Sequence, residues 1–393
     1  MRVLRNVGRL LSPSDPVRER VDVLVADDRI DSVVPAGKSS GYDEEFDCGG
    51  CLLTPGLIDA HSHPIYLRPR LEEVDRRSSG ASYSDIAKAG GGINATVQET
   101  RRAPWDELEA AARSRFSRWL GHGTTTLEAK TGYWLDRDGE LGGLALLRRL
   151  SADVSQPHLV PTYLAAHEIP PEYQGDRQGY VRAVQDWCPG AAAAGAVFGD
   201  VFCDQGAFTT QESEAILRAE RAAGLRLRLH ADEIALTGGA RLAARMGAVS
   251  ADHLLRIGEG EIKALAAAGT VATLCPVTAL NMGSLPPARA LLDAGVAVAL
   301  GTDHNPGTSG TTQMSLIVYL AITELRLTVA EALEAATLGG ARSLALGDRA
   351  RVRRGQLADL TLWEADHEGA FAWEPGLRAR AVWRAGRLVV GAA

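Results

Sequence analysis

Six of the nine histidines in this 393-residue chain stand where apolar runs end: His61, His63, His167, His230, His253 and His304. His61 and His63 close the stretch Thr54-Pro55-Gly56-Leu57-Ile58-Asp59-Ala60-His61-Ser62-His63-Pro64. On a strand, positions i and i+2 point to one side, so both imidazoles would reach one point in space. Two neutral imidazoles converging on a point begin a site for zinc or a similar divalent ion. Carboxylates accompany the later histidines: Glu233 three residues after His230, Asp252 beside His253 and Asp303 beside His304. Any one of these histidines alone would read as a satisfied structural residue. Their concentration at run ends predicts a metal site. His122, His158 and His367 fall in apparent helix ends or loops.

The runs that carry these residues recur in a regular rhythm. Predicted strands are Leu57–His61, Thr124–Ala129, Leu159–Ala165, Asp200–Cys203, Leu225–His230, Ser250–Leu254, Val271–Cys275 and Val296–Thr302. Helical patterns fill Trp105–Leu120, Gly142–Leu150, Thr210–Ala223, Gly238–Met246, Glu259–Ala268 and Pro286–Ala294. Eight strands alternating with helices predict an α/β fold, a (β/α)₈ TIM-like barrel over 56–345, with chemistry at the C-terminal strand ends. The ends of the chain differ in texture. Val21–Val25 and Arg29–Val34 read as a hairpin, and Ala358–Trp363 and Ala381–Val390 as further strands. Residues 1–55 and 346–393 are therefore expected to form one composite β-sandwich domain. The segment 64–100, with Gly90-Gly91-Gly92, breaks the rhythm and reads as a long loop over the barrel mouth.

Bulk properties exclude several classes. With 46% hydrophobic and 23% charged residues and a net charge of −7, no nucleic-acid or anionic-membrane partner is expected. No apolar run reaches the ~18 residues of a membrane span, and the N-terminus lacks a secretory core. Five cysteines, an odd number, point to reduced thiols and a cytoplasmic setting. Cys48-Gly49-Gly50-Cys51 has neither a second pair nor a helix start behind it, so its spacing reads as incidental.

The constellation resembles the amidohydrolase superfamily and, within it, the imidazolonepropionase family. The motifs that carry the resemblance are Pro55–His63, Gly90-Gly91-Gly92-Ile93, Glu128-Ala129-Lys130-Thr131-Gly132-Tyr133 and Ala166-His167-Glu168-Ile169-Pro170-Pro171-Glu172-Tyr173. Further on come His230-Ala231-Asp232-Glu233, Ser250-Ala251-Asp252-His253-Leu254 and Thr302-Asp303-His304-Asn305-Pro306-Gly307-Thr308-Ser309. Departures are His304 where the family has Phe, Trp134 where it has Gly, and Cys275-Pro276 after strand seven. Trp373-Glu374-Pro375-Gly376 replaces a C-terminal family pattern. His304 and Trp134 bear on substrate identity.

The resemblance implies His61, His63, His230 and Asp303 as metal ligands, leaving a position for water. Two-metal members carry a bridging lysine at the end of strand four. Asp200-Val201-Phe202-Cys203-Asp204 has none, and Lys130 ends strand two, where a structural salt bridge is expected. One zinc or iron ion per chain follows. Such an ion lowers the pKa of water from 15.7 towards ~7 for attack on a ring carbonyl. Catalytic roles fall to Asp303 as the proton carrier, to His253 at the water or oxyanion, and to Glu233 at the ring nitrogens. A solvated helix-start carboxylate is the bland alternative for Glu233. The implied reaction opens 4-imidazolone-5-propanoate to N-formimidoyl-L-glutamate in histidine degradation. The carboxylate tail calls for an arginine fork, Arg70 by resemblance, with Arg68 as competitor. Tyr83, Tyr133 and His167 would line the pocket, and Asn305, Gly307 and Thr308 would contact substrate or product. A homodimer is expected. The rival activity is a deaminase or another cyclic-amide hydrolase of the superfamily; a non-catalytic barrel would have lost ligands, and none is missing.

Overall fold

The computed structural model describes residues 1–393 except 82–84, 87, 88, 392 and 393. Eight parallel strands hydrogen-bond in chain order: Leu57–Asp59, Thr124–Lys130, His158–Ala166, Phe198–Cys203, Arg226–Ala231, Ser250–His253, Val271–Leu274 and Val298–Leu300. Nearly every residue in them is buried, as expected for parallel strands covered by helices outside and filled by side chains inside. Each predicted barrel strand is present, with ends displaced by a few residues. Backbone bonds just beyond the first and eighth strands join the two. Ala60 N–H donates to Leu300 O (3.1 Å), Asp303 N–H to His61 O (2.9 Å) and His63 N–H to His304 O (2.8 Å). This seam places Asp303 beside His61, although 242 positions separate them (303 − 61).

The outer layer holds the six expected helices and several more. The helix Arg177–Ala194 went unread because Pro189 and Gly190 interrupt its pattern. Proline removes a backbone donor within a helix, and here packing overrides that cost. The segment 64–100 is less loop-like than its composition suggests. Among its described residues are a short turn at Leu71–Glu73, a helix at Val74–Ser78 and the start of Ile93–Arg102. Tyr83 lies outside the described residues.

The terminal segments build a second eight-stranded sheet. The expected hairpin is there, Arg18–Ala26 paired antiparallel with Arg29–Pro35. The two ends of the chain meet where Leu52–Pro55 pairs antiparallel with Leu360–Trp363, Leu53 opposite Leu362. The chain then crosses from this sheet to the barrel through Gly56. A Cβ there would lie 2.2 Å from Thr125 Oγ1, so only glycine permits the crossing. No helix among the described residues is long and apolar enough to cross a membrane.

Outside the barrel strands, Glu220 is fully buried against Gly199, and neither carboxylate oxygen has a hydrogen-bond partner. Burial, reinforced by the Asp200 charge, pushes its carboxyl well above the usual range. In acid both folded and unfolded chains carry the proton, so the group contributes nothing. As pH rises past the ordinary glutamate range the unfolded chain ionises while the folded one resists, so stability is lost. Glu220→Gln cannot ionise. Its stability from urea unfolding should match wild type near pH 4 and exceed it at pH 8 by about 1 kcal/mol or more. A constant gap between the two pH values would refute an ionisation cost.

Candidate metal centre and active site

The seam between strands one and eight continues through a bridge pairing Ser62 with His304, so His61 and His63 both lie where the barrel opens. His61 Nε2 is 3.2 Å from His63 Nε2, which is 3.4 Å from His230 Nε2. Asp303 Oδ1 lies 3.5 Å from His61 Nε2 and 3.4 Å from His63 Nε2. Tetrahedral zinc with bonds of about 2.0–2.1 Å has ligand atoms about 3.3–3.4 Å apart. These four separations are close to those of a tetrahedral zinc site.

Tautomers support the same conclusion. His61 Nδ1 is 2.7 Å from Asp252 Oδ2, and His230 Nδ1 is 3.1 Å from Asp200 Oδ2. A carboxylate only accepts, so both Nδ1 atoms carry the hydrogen and each Nε2 is the nitrogen able to offer a lone pair to an ion. Three imidazoles and a carboxylate aimed at one point fit a divalent ion and leave little else that could sit there.

Behind the histidines stands a ring of fully buried charges. Lys130 Nζ is 2.6 Å from Asp200 Oδ2 and 2.8 Å from Glu128 Oε2. Arg228 reaches Glu128 and Asp252, each at 2.9 Å. Burial opposes ionisation of Asp252, but Arg228 and His61 outweigh it and hold the carboxyl well below its usual range. Burial likewise opposes the charge on Lys130, which Asp200 and Glu128 restore. Lys130 is thus committed to ion pairs behind the donor set.

One cavity opens over the donor set. His63, His230 and Asp303 line it together with Arg70, Tyr133, His167, Glu233, His253, Asn305 and Thr308, and Ile93, Phe202, Ile234 and Met282 supply apolar walls. His61 lies outside this lining, and Gly307 lines a neighbouring outer cleft. His253 is buried and neither ring nitrogen has a hydrogen-bond partner; burial brings its pKa down to about 4. His167 donates from Nδ1 to Gly132 O (3.0 Å), leaving Nε2 to accept; burial, then His63, hold it neutral at about 3. Glu233 is not the solvated carboxylate that its position also allowed. It is buried in the cavity wall, and Oε1 is 3.7 Å from His253 Nδ1. Asp303 and His253 hold positive φ values, +47° and +74°, a strained conformation that collects at functional sites.

Arg70 is fixed from several sides. Its backbone N–H donates to Pro306 O, Nη1 donates to Thr96 Oγ1 (2.6 Å), and Nε is 2.9 Å from Glu73 Oε1. The last contact is an ion pair without hydrogen-bond angles. A Cβ at Gly307 would lie 2.0 Å from Arg70 Nη2, so the glycine is what lets the guanidinium lie there. Arg68, the competitor, is 75% exposed and lines a different cleft.

Asn305 lines the cavity and also builds the loop beside it. Its amide bonds Asp303 O, Thr308 Oγ1 and the N–H groups of Gly307 and Thr308, so its polar atoms hold the turn itself. His304 turns away from the cavity, bonded to Tyr66 Oη and Thr311 O. Trp134 stacks on Trp105. Neither departure lines the cavity. Sequence reasoning missed Glu73, Thr96 and Thr278. Glu73 follows Arg70 at i+3, a helical ion-pair spacing that could have flagged it. No signal marks the two threonines.

If Asp200 orients His230, Asp200→Asn should weaken zinc affinity about 10- to 100-fold in chelator competition. His253→Ala should leave it unchanged. The reverse pattern would move His253 into the ligand set.

The amidohydrolase family model matches residues 52–389. The imidazolonepropionase of Paracoccus denitrificans is 44% identical over 343 residues, covering 86% of each chain. That of Myxococcus xanthus is 40% identical over 408 residues, covering 99% of this chain and 97% of the relative. Among solved structures, a zinc complex of atrazine chlorohydrolase from Arthrobacter aurescens superposes with a TM-score of 0.73 at 19% identity, covering 100% and 95% of the two chains. A zinc-bound adenosine deaminase from Xanthomonas campestris gives 0.72 at 20%, covering 98% and 92%. At such identities those two speak for the fold alone. The family match and the curated relatives settle the lineage: this chain belongs to the amidohydrolase family and, within it, to the imidazolonepropionases, hydrolases acting on a cyclic amide.

Proposed function

We propose a division of labour by which the residues of this cavity open the ring of 4-imidazolone-5-propanoate to N-formimidoyl-L-glutamate. The observation that carries it is one cavity that opens over a four-atom donor set and is lined by a fixed arginine. His61, His63, His230 and Asp303 would hold one zinc or iron ion per chain. The fourth strand offers no bridging lysine, and Lys130 is spent on Asp200 and Glu128. When bound, the ion supplies a low-pKa water and polarises the carbonyl.

The chain's own groups then orient and move protons. Asp303 accepts the proton of the attacking water and delivers it to the ring nitrogen as the carbonyl C–N bond breaks. His253, with both nitrogens unpartnered, serves the water and the developing oxyanion. His167 Nε2 accepts from a ring N–H, Glu233 faces the ring nitrogens, and Tyr133 flanks the ring. Arg70 grips the propanoate, with Asn305, Gly307 and Thr308 shaping that end of the cavity. The cluster of Arg70, Arg77 and Glu73 carries one net positive charge (+2 − 1), which suits one carboxylate.

We further assign residues 1–55 with 346–393 to one domain, 56–345 to the catalytic barrel, and the enzyme to the cytoplasm. It would act as a homodimer. Trp373 is 88% exposed on a helix that packs against Met314–Thr323, and Leu316, Tyr319 and Leu320 are incompletely buried there. Such a patch suits a second copy.

Elemental analysis should find about one metal per chain, and two tightly held ions would refute the mononuclear site. Arg70→Ala should lower kcat/KM roughly 10- to 150-fold with metal content unchanged. Arg70→Lys should recover part of this, since an ammonium cannot form the fork. Gly307→Ala, which displaces the guanidinium, should resemble Arg70→Ala. A substrate lacking the carboxylate should be poor for wild type and little worse for Arg70→Ala; equal discrimination by both enzymes would sink the anchor. Ring opening should exceed turnover of any purine or pyrimidine in a panel.

A further inference from the structure

The short helix Pro276–Asn281, just past the seventh strand, carries a residue that the division of labour above leaves unused. Thr278 is 1% exposed, and its hydroxyl lies 2.6 Å from Asp303 Oδ2. A carboxylate has no hydrogen to give, so Thr278 donates. The other oxygen, Oδ1, faces the Nε2 atoms of His61 and His63 at 3.5 and 3.4 Å. The two oxygens of Asp303 are therefore distinguished: one belongs to the donor set, the other to Thr278. One turn along the same helix, Asn281 donates from Nδ2 to Thr308 O. The helix thus grips both ends of the loop 303–308, and Met282, next in the chain, reaches the cavity wall. Asp303 itself has a φ of +47°, which a non-glycine residue keeps only where its surroundings impose it.

We propose that Thr278 is a positioning residue that acts through Asp303. It fixes the rotation of the carboxylate, so that Oδ1 stays with the donor set and Oδ2 stays turned outward. This rests on Asp303 being ligand and proton carrier, as proposed above. Partners of this kind, one step removed from a metal, are worth about 10- to 100-fold in metal affinity or activity. Threonine also restricts its own hydroxyl, because a β-branched side chain has few rotamers.

The test uses the full-length zinc enzyme. Thr278→Val keeps the shape and removes the donor; Thr278→Ser keeps the donor. In the valine variant, kcat or zinc affinity by chelator competition should fall about 10-fold or more, with KM within about twofold of wild type. Serine should restore the affected quantity to within about threefold of wild type. The proposal is overturned if valine leaves both quantities unchanged, if KM moves as far as kcat, or if serine fails to rescue. Should valine prevent folding, as judged by circular dichroism, Thr278→Ala against Thr278→Ser supplies the same comparison. Chelator competition needs no substrate. A wild type that binds zinc but does not open the imidazolone ring would count against the substrate assignment, and Thr278 would still be judged on zinc affinity.

Discussion

The interior of the barrel is organised by charges that cannot be left alone. Lys130 and Arg228 face Glu128, Asp200 and Asp252, all without solvent exposure. Removing an ion from water costs several kcal/mol, and stripping one partner from a buried pair costs about 3–5 kcal/mol. Well-packed aliphatic side chains would stabilise the same space as well or better. What they could not do is hold an imidazole hydrogen. Asp252 Oδ2 meets both Arg228 and His61, and Asp200 Oδ2 meets both Lys130 and His230. The network is therefore the support of the donor set, and it fixes which nitrogen of His61 and of His230 faces the other ligand atoms.

That support opposes a real cost. Four lone-pair atoms lie within 3.5 Å of a neighbour, and two residues of the site sit at positive φ. Flexible loops would relax such an arrangement by moving apart. Here His61 and Asp303 are tied to each other through the strand seam, and His230 sits within a fully paired strand. The rigidity of the barrel is thus part of the chemistry, because it keeps ligand atoms together that would otherwise separate.

How much of this was legible in the sequence depends on how local the cause is. His61 and His63 could be read together because strand geometry repeats every two residues, and the eight strands because each is a short apolar run. The pairing of His61 with Asp303 follows from the barrel topology once eight strands are counted. Residues placed by packing left no trace. Pro189-Gly190 conceals the helix Arg177–Ala194, and Thr278 is one small polar residue in an apolar stretch. Asn305 could be read as a residue near the site, but not as one whose amide holds the turn that carries it. His304, beside Asp303 in sequence, points elsewhere, held by Tyr66 Oη and Thr311 O.

The surroundings of Arg70, the proposed anchor, show why such a role needs more than charge. A guanidinium with its side chain only 11% exposed requires a counter-charge, and Glu73 supplies one. Yet Glu73 also serves Arg77 and the N–H of Gly92, so its negative charge is divided and the cluster stays cationic. A cationic cluster alone would attract any anion. With Nε on Glu73, Nη1 on Thr96 and Gly307 beneath Nη2, the plane of the guanidinium is set before a ligand arrives. The remaining N–H directions are then fixed in space, and a carboxylate must meet them in one orientation. Its attached ring is directed accordingly. Because Arg70 N–H also holds Pro306 O, two residues beyond His304 and three beyond Asp303, the anchor and the donor set share one loop. Binding the tail and presenting the ring carbonyl to the donor set are therefore one geometric event.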